Sequence, residues 1–237
     1  MDLKDKIVLV AGGAGGIGLG IARALAAEGC KVAVADYSQE ALKKVSGDLL
    51  CHVCDVTDRR QVAELFEWLA GEVGSIDILV NSAGINVGNR MFANIDPADF
   101  DRVMAVNTTG TFNCIHAALP IMRKKRSGLI VNVVSLAGLR VMLLAGLPYC
   151  VSKFATGALG TFVNLEEAAN GIKVTNIYPG ETNTPIVDKR PSPPPPEKRA
   201  AMLQPEDIAA CVVAVAKLPP RAVVPELVIT PPHMMVG

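Results

Sequence analysis

The stretch that most constrains this chain is the glycine cluster at residues 12–18, Gly-Gly-Ala-Gly-Gly-Ile-Gly. Before it, residues 6–11 read Lys-Ile-Val-Leu-Val-Ala, a short apolar run that suits a strand buried in a parallel sheet. After it, residues 17–28 place Ile21, Ala22, Leu25 and Ala26 along one side of a helix, which Gly29 closes. Residues 31–35 are a second apolar run, ending at Asp36. Strand, glycine turn, helix and strand within about 30 residues make a β-α-β unit. At such a turn the missing Cβ atoms let the backbone approach a pyrophosphate. The helix N-terminus adds its amides and the positive end of its dipole. Asp36 stands 18 residues beyond Gly18. A carboxylate at the end of that strand can bind the two ribose hydroxyls of NAD and repel the 2′-phosphate of NADP.

The same alternation runs through the rest of the chain. Helix is predicted over 39–46, strand over 49–54, and an amphipathic helix over 58–73 that Thr57 or Asp58 can cap. A strand over 76–80 ends in Asn81-Ser82-Ala83-Gly84, and a polar loop follows. Asp96 with Pro97 reads as the start of one long helix reaching Lys125. A strand over 129–134 precedes Ser135 and an apolar-centred loop over 136–148. Helix over 149–169 ends at Gly171, strand over 172–178 ends at Pro179-Gly180, helix spans 204–217, and a last strand spans 223–229. Seven strands alternating with helices predict a three-layer α/β fold of the Rossmann type, a seven-stranded parallel sheet covered on both faces. Ligands bind such sheets beyond the carboxyl ends of the strands, where the glycine-rich and polar residues fall. Residues 191–196 hold five prolines in six positions, which excludes helix and central strand. They are read as part of a mobile or partly extended lid over about 185–204, one excursion from a single domain spanning 1–237.

Basic and acidic residues balance at 23 each, so no electrostatic footprint for nucleic acid exists. The basic run 123–126 suits a helix C-terminus. The charged N-terminus and the short apolar run behind it are neither a signal peptide nor a membrane span, and a cytoplasmic protein is expected. Cys51 and Cys54 sit three apart in a predicted strand and so on opposite faces, and the three histidines show no ligand spacing; no metal is expected. Tyr149 and Lys153 are four apart and share a helix face. A lysine ammonium beside a phenol favours the phenolate, so the Tyr149 pKa is expected to fall, which suits a general acid or base.

Taken together and in order, these residues resemble the classical short-chain dehydrogenase/reductase family across essentially the whole chain. Gly12, Gly16 and Gly18 match its Thr-Gly-x-x-x-Gly-x-Gly motif, with Ala11 in place of the threonine, which removes the hydroxyl that braces that turn in the family. Asp55-Val56 is similar to the pair beside the adenine, and Asn81-Ser82-Ala83-Gly84 to Asn-Asn-Ala-Gly. Asn107, Ser135, Tyr149 and Lys153 match the family's catalytic residues, and Pro179-Gly180 with Thr184 matches the segment that reaches the nicotinamide carboxamide. The cofactor set implied is Gly12, Gly16, Ile17, Gly18, Asp36, Tyr37, Asp55, Val56, Asn81, Ala83, Gly84, Tyr149, Lys153, Pro179, Gly180 and Thr184.

The resemblance implies hydride transfer between NAD, with NADP less favoured, and a secondary alcohol or ketone. Tyr149 would exchange the proton, Lys153 hold the nicotinamide ribose, Ser135 bond the substrate oxygen and Asn107 position a water. The apolar stretch 141–147 is expected to wall the substrate pocket. Alternatives are a reductase of 3-oxoacyl chains on an acyl carrier protein and a non-catalytic NAD-binding regulatory protein. Two long helices like those that pair in the family imply a homodimer or homotetramer. The short proline-rich tail at 231–235 departs from the family's pattern there.

Overall fold

The computed structural model describes residues 2–45, 47 and 49–234. Its strands are β1 (Ile7–Ala11), β2 (Lys31–Asp36), β3 (Leu50–Val53), β4 (Ile78–Asn81), β5 (Gly128–Val133), β6 (Ile172–Pro179) and β7 (Glu226–Ile229). They form one sheet in the order β3-β2-β1-β4-β5-β6-β7, and every neighbouring pair is parallel. Because side chains alternate across a strand, a sheet covered on both faces needs apolar residues at every position. Val8, Val10, Val32 and Val34 meet Ile21 and Leu25 of α1 (Gly16–Ala27) and Ile208 and Val212 of α8 (Pro205–Ala216). Leu9, Ala11, Ala33 and Ala35 face the other way, into the core shared with α3 (Arg59–Glu72) and α5 (Gly110–Lys125). The strand order reverses between β1 and β4, which opens a crevice at their carboxyl ends.

Several boundaries differ from the sequence-based expectation, each for a local reason. Asp58, not Thr57, caps α3, accepting from Arg60 N at 2.9 Å and Gln61 N at 3.4 Å. Thr57 instead gives its hydroxyl to Asp55 at 2.8 Å. The helix expected over 39–46 is only α2 (Gln39–Leu42) and then a turn; Ser46 lies outside the described residues. The single long helix expected from Asp96 is α4 (Pro97–Met104) joined to α5 by a π-helical turn at Ala105–Thr109. Such wide turns release backbone groups from the helical ladder and recur at functional sites. In α6 (Leu147–Glu167) the helix begins two residues before Tyr149, with Pro148 in the first turn where its missing N–H costs nothing. The same rule corrects the proline stretch. Residues 191–195 are non-helical, but Pro196 is the first residue of α7 (Pro196–Ala200). The basic run at the end of α5 does more than face its own carbonyls. Arg123 pairs with the buried carboxylate of Glu167, and Lys125 bonds Asp77 at 2.6 Å.

A ladder of three buried asparagines ties the centre of the sheet to α6. Asn81, Asn132 and Asn176 are register partners on β4, β5 and β6. Asn81 Nδ2 donates to Asn132 Oδ1 at 2.9 Å and Asn132 Nδ2 to Asn176 Oδ1 at 3.0 Å. Asn176 Nδ2 in turn donates to the Gly157 carbonyl at 2.9 Å. Helix α6 can lie this close only because Gly160 has no side chain. A Cβ there would stand 2.0 Å from Asn176 Oδ1 and 2.6 Å from Asn132 Nδ2. Gly160→Ala is therefore expected to destabilise the fold by about 2–4 kcal/mol, from overpacking plus broken buried hydrogen bonds. A urea titration checks this, and an unchanged midpoint would mean the helix is free to move off the ladder.

Candidate active site

The turn after β1 is built by backbone contact. Gly12 has φ of +74°, and a Cβ on it would lie 2.4 Å from the Ala83 backbone, so residue 12 can lie this close to the chain after β4 only as glycine. Gly12 N and Gly13 N both donate to Ala35 O, at 2.8 and 3.2 Å, and Ser82 N donates to Ala11 O at 2.8 Å. These bonds hold the turn where Ala11 has no hydroxyl to offer. The α1 N-terminus has no side-chain cap and no acid in its first turn, which leaves its amides available to an anion. At the end of β2 the Asp36 carboxylate accepts from Ala14 N at 3.2 Å and Ser38 N at 3.1 Å, with Tyr37 exposed beside it.

A cleft of about 810 Å³ runs along the strand ends from Asp36 to Tyr149. Of the residues singled out in the sequence, Gly12, Gly16, Ile17, Asp36, Tyr37, Asp55, Val56, Ala83, Gly84, Ser135, Tyr149, Lys153, Pro179, Gly180 and Thr184 line it. Gly18, Asn81 and Asn107 do not, and each stands behind the wall for a physical reason. Gly18 is there for packing: a Cβ would be 2.2 Å from Gly12 O. Asn81 turns its amide into the ladder. Asn107, in the π-helical turn, is fully buried and spends both side-chain ends on protein partners. Its Oδ1 accepts from Ile85 N at 2.8 Å, and Nδ2 donates to Ile85 O at 3.0 Å and Ser152 Oγ at 2.9 Å. Its carbonyl accepts from Thr111 Oγ1 at 2.8 Å and Thr156 Oγ1 at 3.0 Å. Asn107 thereby joins the loop after β4 to α6.

Ser135, Tyr149 and Lys153 meet at the inner end of the cleft. Lys153 Nζ donates to Val133 O at 2.9 Å and lies 5.6 Å from the centre of the Tyr149 ring. Burial pushes the Lys153 ammonium down to about 8. Burial also pushes the Tyr149 phenol up to about 12, against smaller lowering effects of the Ser135 hydroxyl and of Arg190. The expected fall of the Tyr149 pKa is thus reversed in the protein alone, because desolvation of the phenolate outweighs the Ser135 hydroxyl and the Arg190 charge.

Other cleft residues had no motif to announce them. Arg90, Glu181 and Arg190 also line it. A lone arginine in a polar loop reads as a solvated charge, and only the folding of three loops together buries Arg90. Of the apolar stretch 141–147, just Met142, Leu144 and Ala145 line the cleft. Val141 and Leu143 are exposed and border a second, apolar groove with Met91, Phe92 and Phe154. Cys51 is exposed and Cys54 buried, and among the described residues no three His, Cys, Asp or Glu side chains group as metal ligands. No helix among the described residues is long and apolar enough to cross a membrane.

Comparison with known proteins agrees with this geometry. The family described as short chain dehydrogenase matches residues 6–194. An oxidoreductase of Staphylococcus saprophyticus is 32% identical over 239 residues, covering 98% of this chain and 99% of that protein. The closed form of serine dehydrogenase complexed with NADP+ has a TM-score of 0.88 at 27% identity, covering 97% of this chain and 96% of that one. The 3-ketoacyl-(acyl-carrier-protein) reductase from Brucella melitensis, complexed with NADH, has a TM-score of 0.87; at 22% identity, over 98% and 100% of the chains, it shows a shared fold. This chain belongs to the short-chain dehydrogenase family and is an oxidoreductase with an NAD(P)-binding fold.

The buried lysine has a stability signature. Held near 8 against an ordinary 10.5, its charged form costs the fold roughly 3 kcal/mol at pH 7. Between those two values the unfolded chain binds the proton and the folded chain does not, so the penalty disappears as pH rises from about 8 towards 10.5. The melting temperature of Lys153→Met minus that of the parent, without cofactor, is expected to be most positive near pH 7 and to shrink by pH 9.5. A difference that stays constant with pH would show that Lys153 is not desolvated.

Proposed function

We propose that the chain catalyses hydride transfer between NAD(H) and a secondary alcohol or its ketone. The observation that carries this reading is the convergence of Ser135, Tyr149 and Lys153 at one end of a cleft that the bare α1 N-terminus and Asp36 also line. The cofactor, when bound, accepts or supplies the hydride. The protein's part is orientation and proton handling. Ser135 holds the substrate oxygen, and Tyr149, protonated near neutral pH, donates to that oxygen as a ketone is reduced. In the opposite direction Tyr149 must first lose its proton, and the Ser135 hydroxyl and the Arg190 charge favour that loss. Asn107 acts indirectly, by fixing the loop after β4 against α6.

The cradle fits a dinucleotide. Gly15 opens onto free space, Gly12 and Gly16 carry no side chain, and Asp36 is fixed by two amides where the adenosine ribose would lie. Its fixed negative charge opposes a 2′-phosphate, so NADH is expected to bind tighter than NADPH. Equal or tighter NADPH binding in a direct titration would sink this preference.

Residues 185–204 are read as a cover over the substrate end, since Ile186, Val187 and Arg190 line the cleft there. Phe112, Phe162 and Leu165 on α5 and α6 are apolar and outward-facing, which supports pairing of two copies through these helices. Sedimentation should then give a mass at least twice 24.9 kDa, and a purely monomeric profile at micromolar concentration would count against it.

The decisive test of catalysis is Tyr149→Phe, which keeps the ring and removes the proton route. Turnover of the preferred alcohol is expected to fall by about 10²–10⁴-fold, with NADH binding nearly unchanged. Lys153→Met is expected to weaken both, since the family resemblance gives that side chain the nicotinamide ribose as well as the phenol. Substantial activity in Tyr149→Phe would show that another acid serves the reaction.

A further inference from the structure

Arg90 is 4% exposed, yet it forms no ion pair among the described residues. Its guanidinium lies in the wall of the cleft, near the end occupied by Tyr149. Nε donates to Gly88 O at 3.4 Å, Nη1 to Leu144 O at 3.2 Å, and Nη2 to Lys189 O. The three acceptors belong to three different loops, and every one of them is a neutral carbonyl. A guanidinium has five N–H donors and does not shed its proton, so donors remain and the charge stays unbalanced. Pinning loops together by their carbonyls needs donors, not a charge, and burying a permanent cation for that purpose alone is costly.

A second guanidinium faces the same space. Arg190 is near enough to repel the charge on Arg90 and to favour the phenolate of Tyr149. Its Nη1 is paired with Glu181 Oε1 at 2.8 Å. His233 lies 3.4 Å from the other Glu181 oxygen and adds charge only when protonated. With His233 neutral, Arg90, Arg190 and Glu181 sum to one excess positive charge, apart from the Lys153 ammonium beside Tyr149. Gly146, at φ of +83°, closes over the Arg90 stem, where a Cβ would lie 2.5 Å from Arg90 Cβ. The guanidinium is thus fixed before any ligand arrives, so little side-chain entropy is lost on binding.

We propose that the substrate carries a carboxylate close to its carbinol carbon, and that Arg90 and Arg190 receive it. A single carboxylate balances the single excess charge, and its two oxygens match the planar fork of a guanidinium. Met142 and Leu144 supply an apolar wall beside it, which fits a short hydroxy acid or oxo acid. This rests on the alcohol–ketone reading above and deepens it.

The test compares 2-, 3- and 4-hydroxy acids with their methyl esters, in the presence of NAD. For at least one pair, kcat/KM for the acid is expected to exceed that for the ester by about 10-fold or more, as for a charge-assisted hydrogen-bonded pair. Arg190→Gln should erase the acid-to-ester preference by raising KM for the acid, with the dissociation constant of NADH little changed; because Arg190 also favours the Tyr149 phenolate, kcat should fall alike for acid and ester, and the ratio is the readout. Because Arg90 joins three loops, Arg90→Lys, which keeps the charge without the fork, replaces a full truncation. It should lower the acid-to-ester ratio while the melting temperature stays near that of the parent. Turnover of esters and neutral alcohols without any acid preference would overturn the carboxylate and leave alcohol oxidation standing. Loss of NADH affinity in Arg190→Gln would overturn it in favour of a cofactor-phosphate role. No turnover of any acid, ester or neutral alcohol would remove both readings.

Discussion

A lysine ammonium held inside the protein against one strand carbonyl is the interaction on which the inner end of the cleft depends. Lys153 reaches from α6 to Val133 O at the end of β5, and this spans the gap between helix and sheet. The fold carries it at a cost, because burial disfavours its charge. The surroundings are correspondingly rigid. Three asparagines in register hold β4, β5 and β6 together, and the glycine face of α6 presses onto them. Asn107 closes the other side, with every polar atom of its side chain bonded. A displacement of α6 by one ångström would move Tyr149, Lys153 and the support for both, so stability here and geometry at the cleft are one property.

The cleft is also polarised along its length. Two carboxylates, Asp36 and Asp55, stand at the β2 and β3 end. Lys153, Arg90 and Arg190 stand at the other, offset by Glu181 alone. Between them lies the uncapped α1 N-terminus, with its own partial positive charge. A ligand with ribose hydroxyls at one end, an anion in the middle and a reacting oxygen at the other matches this order of charges. Electrostatics therefore favours one direction of binding before any shape fitting.

Much of this was legible in the chain itself. Buried parallel strands need apolar residues on both faces, so their runs stand out, and the seven-strand alternation follows from them. The glycines at 12, 16 and 18, Asp36, Ser135, Tyr149 and Lys153 were legible because each answers a local demand: a turn, a strand end or a helix face. Boundaries fared less well where neighbours decide. Whether 97–125 is one helix or two joined by a π-helical turn depends on Thr111 and Thr156 capturing the Asn107 carbonyl, and Thr156 lies on another helix.

Tertiary structure alone decided three matters. The first is the sign of the Tyr149 shift: the spacing to Lys153 is local, but the burial that outweighs it comes from the whole fold. The second is which motif residues touch the cleft, because Asn81 and Asn107 turn inward to partners 22 to 51 positions away in the chain. The third is Arg90, an unremarkable arginine until loops from residues 88, 144 and 189 close around it. The physical reason is common to all three. Periodicity and turn chemistry are properties of neighbours along the chain, whereas desolvation and charge balance are sums over neighbours in space.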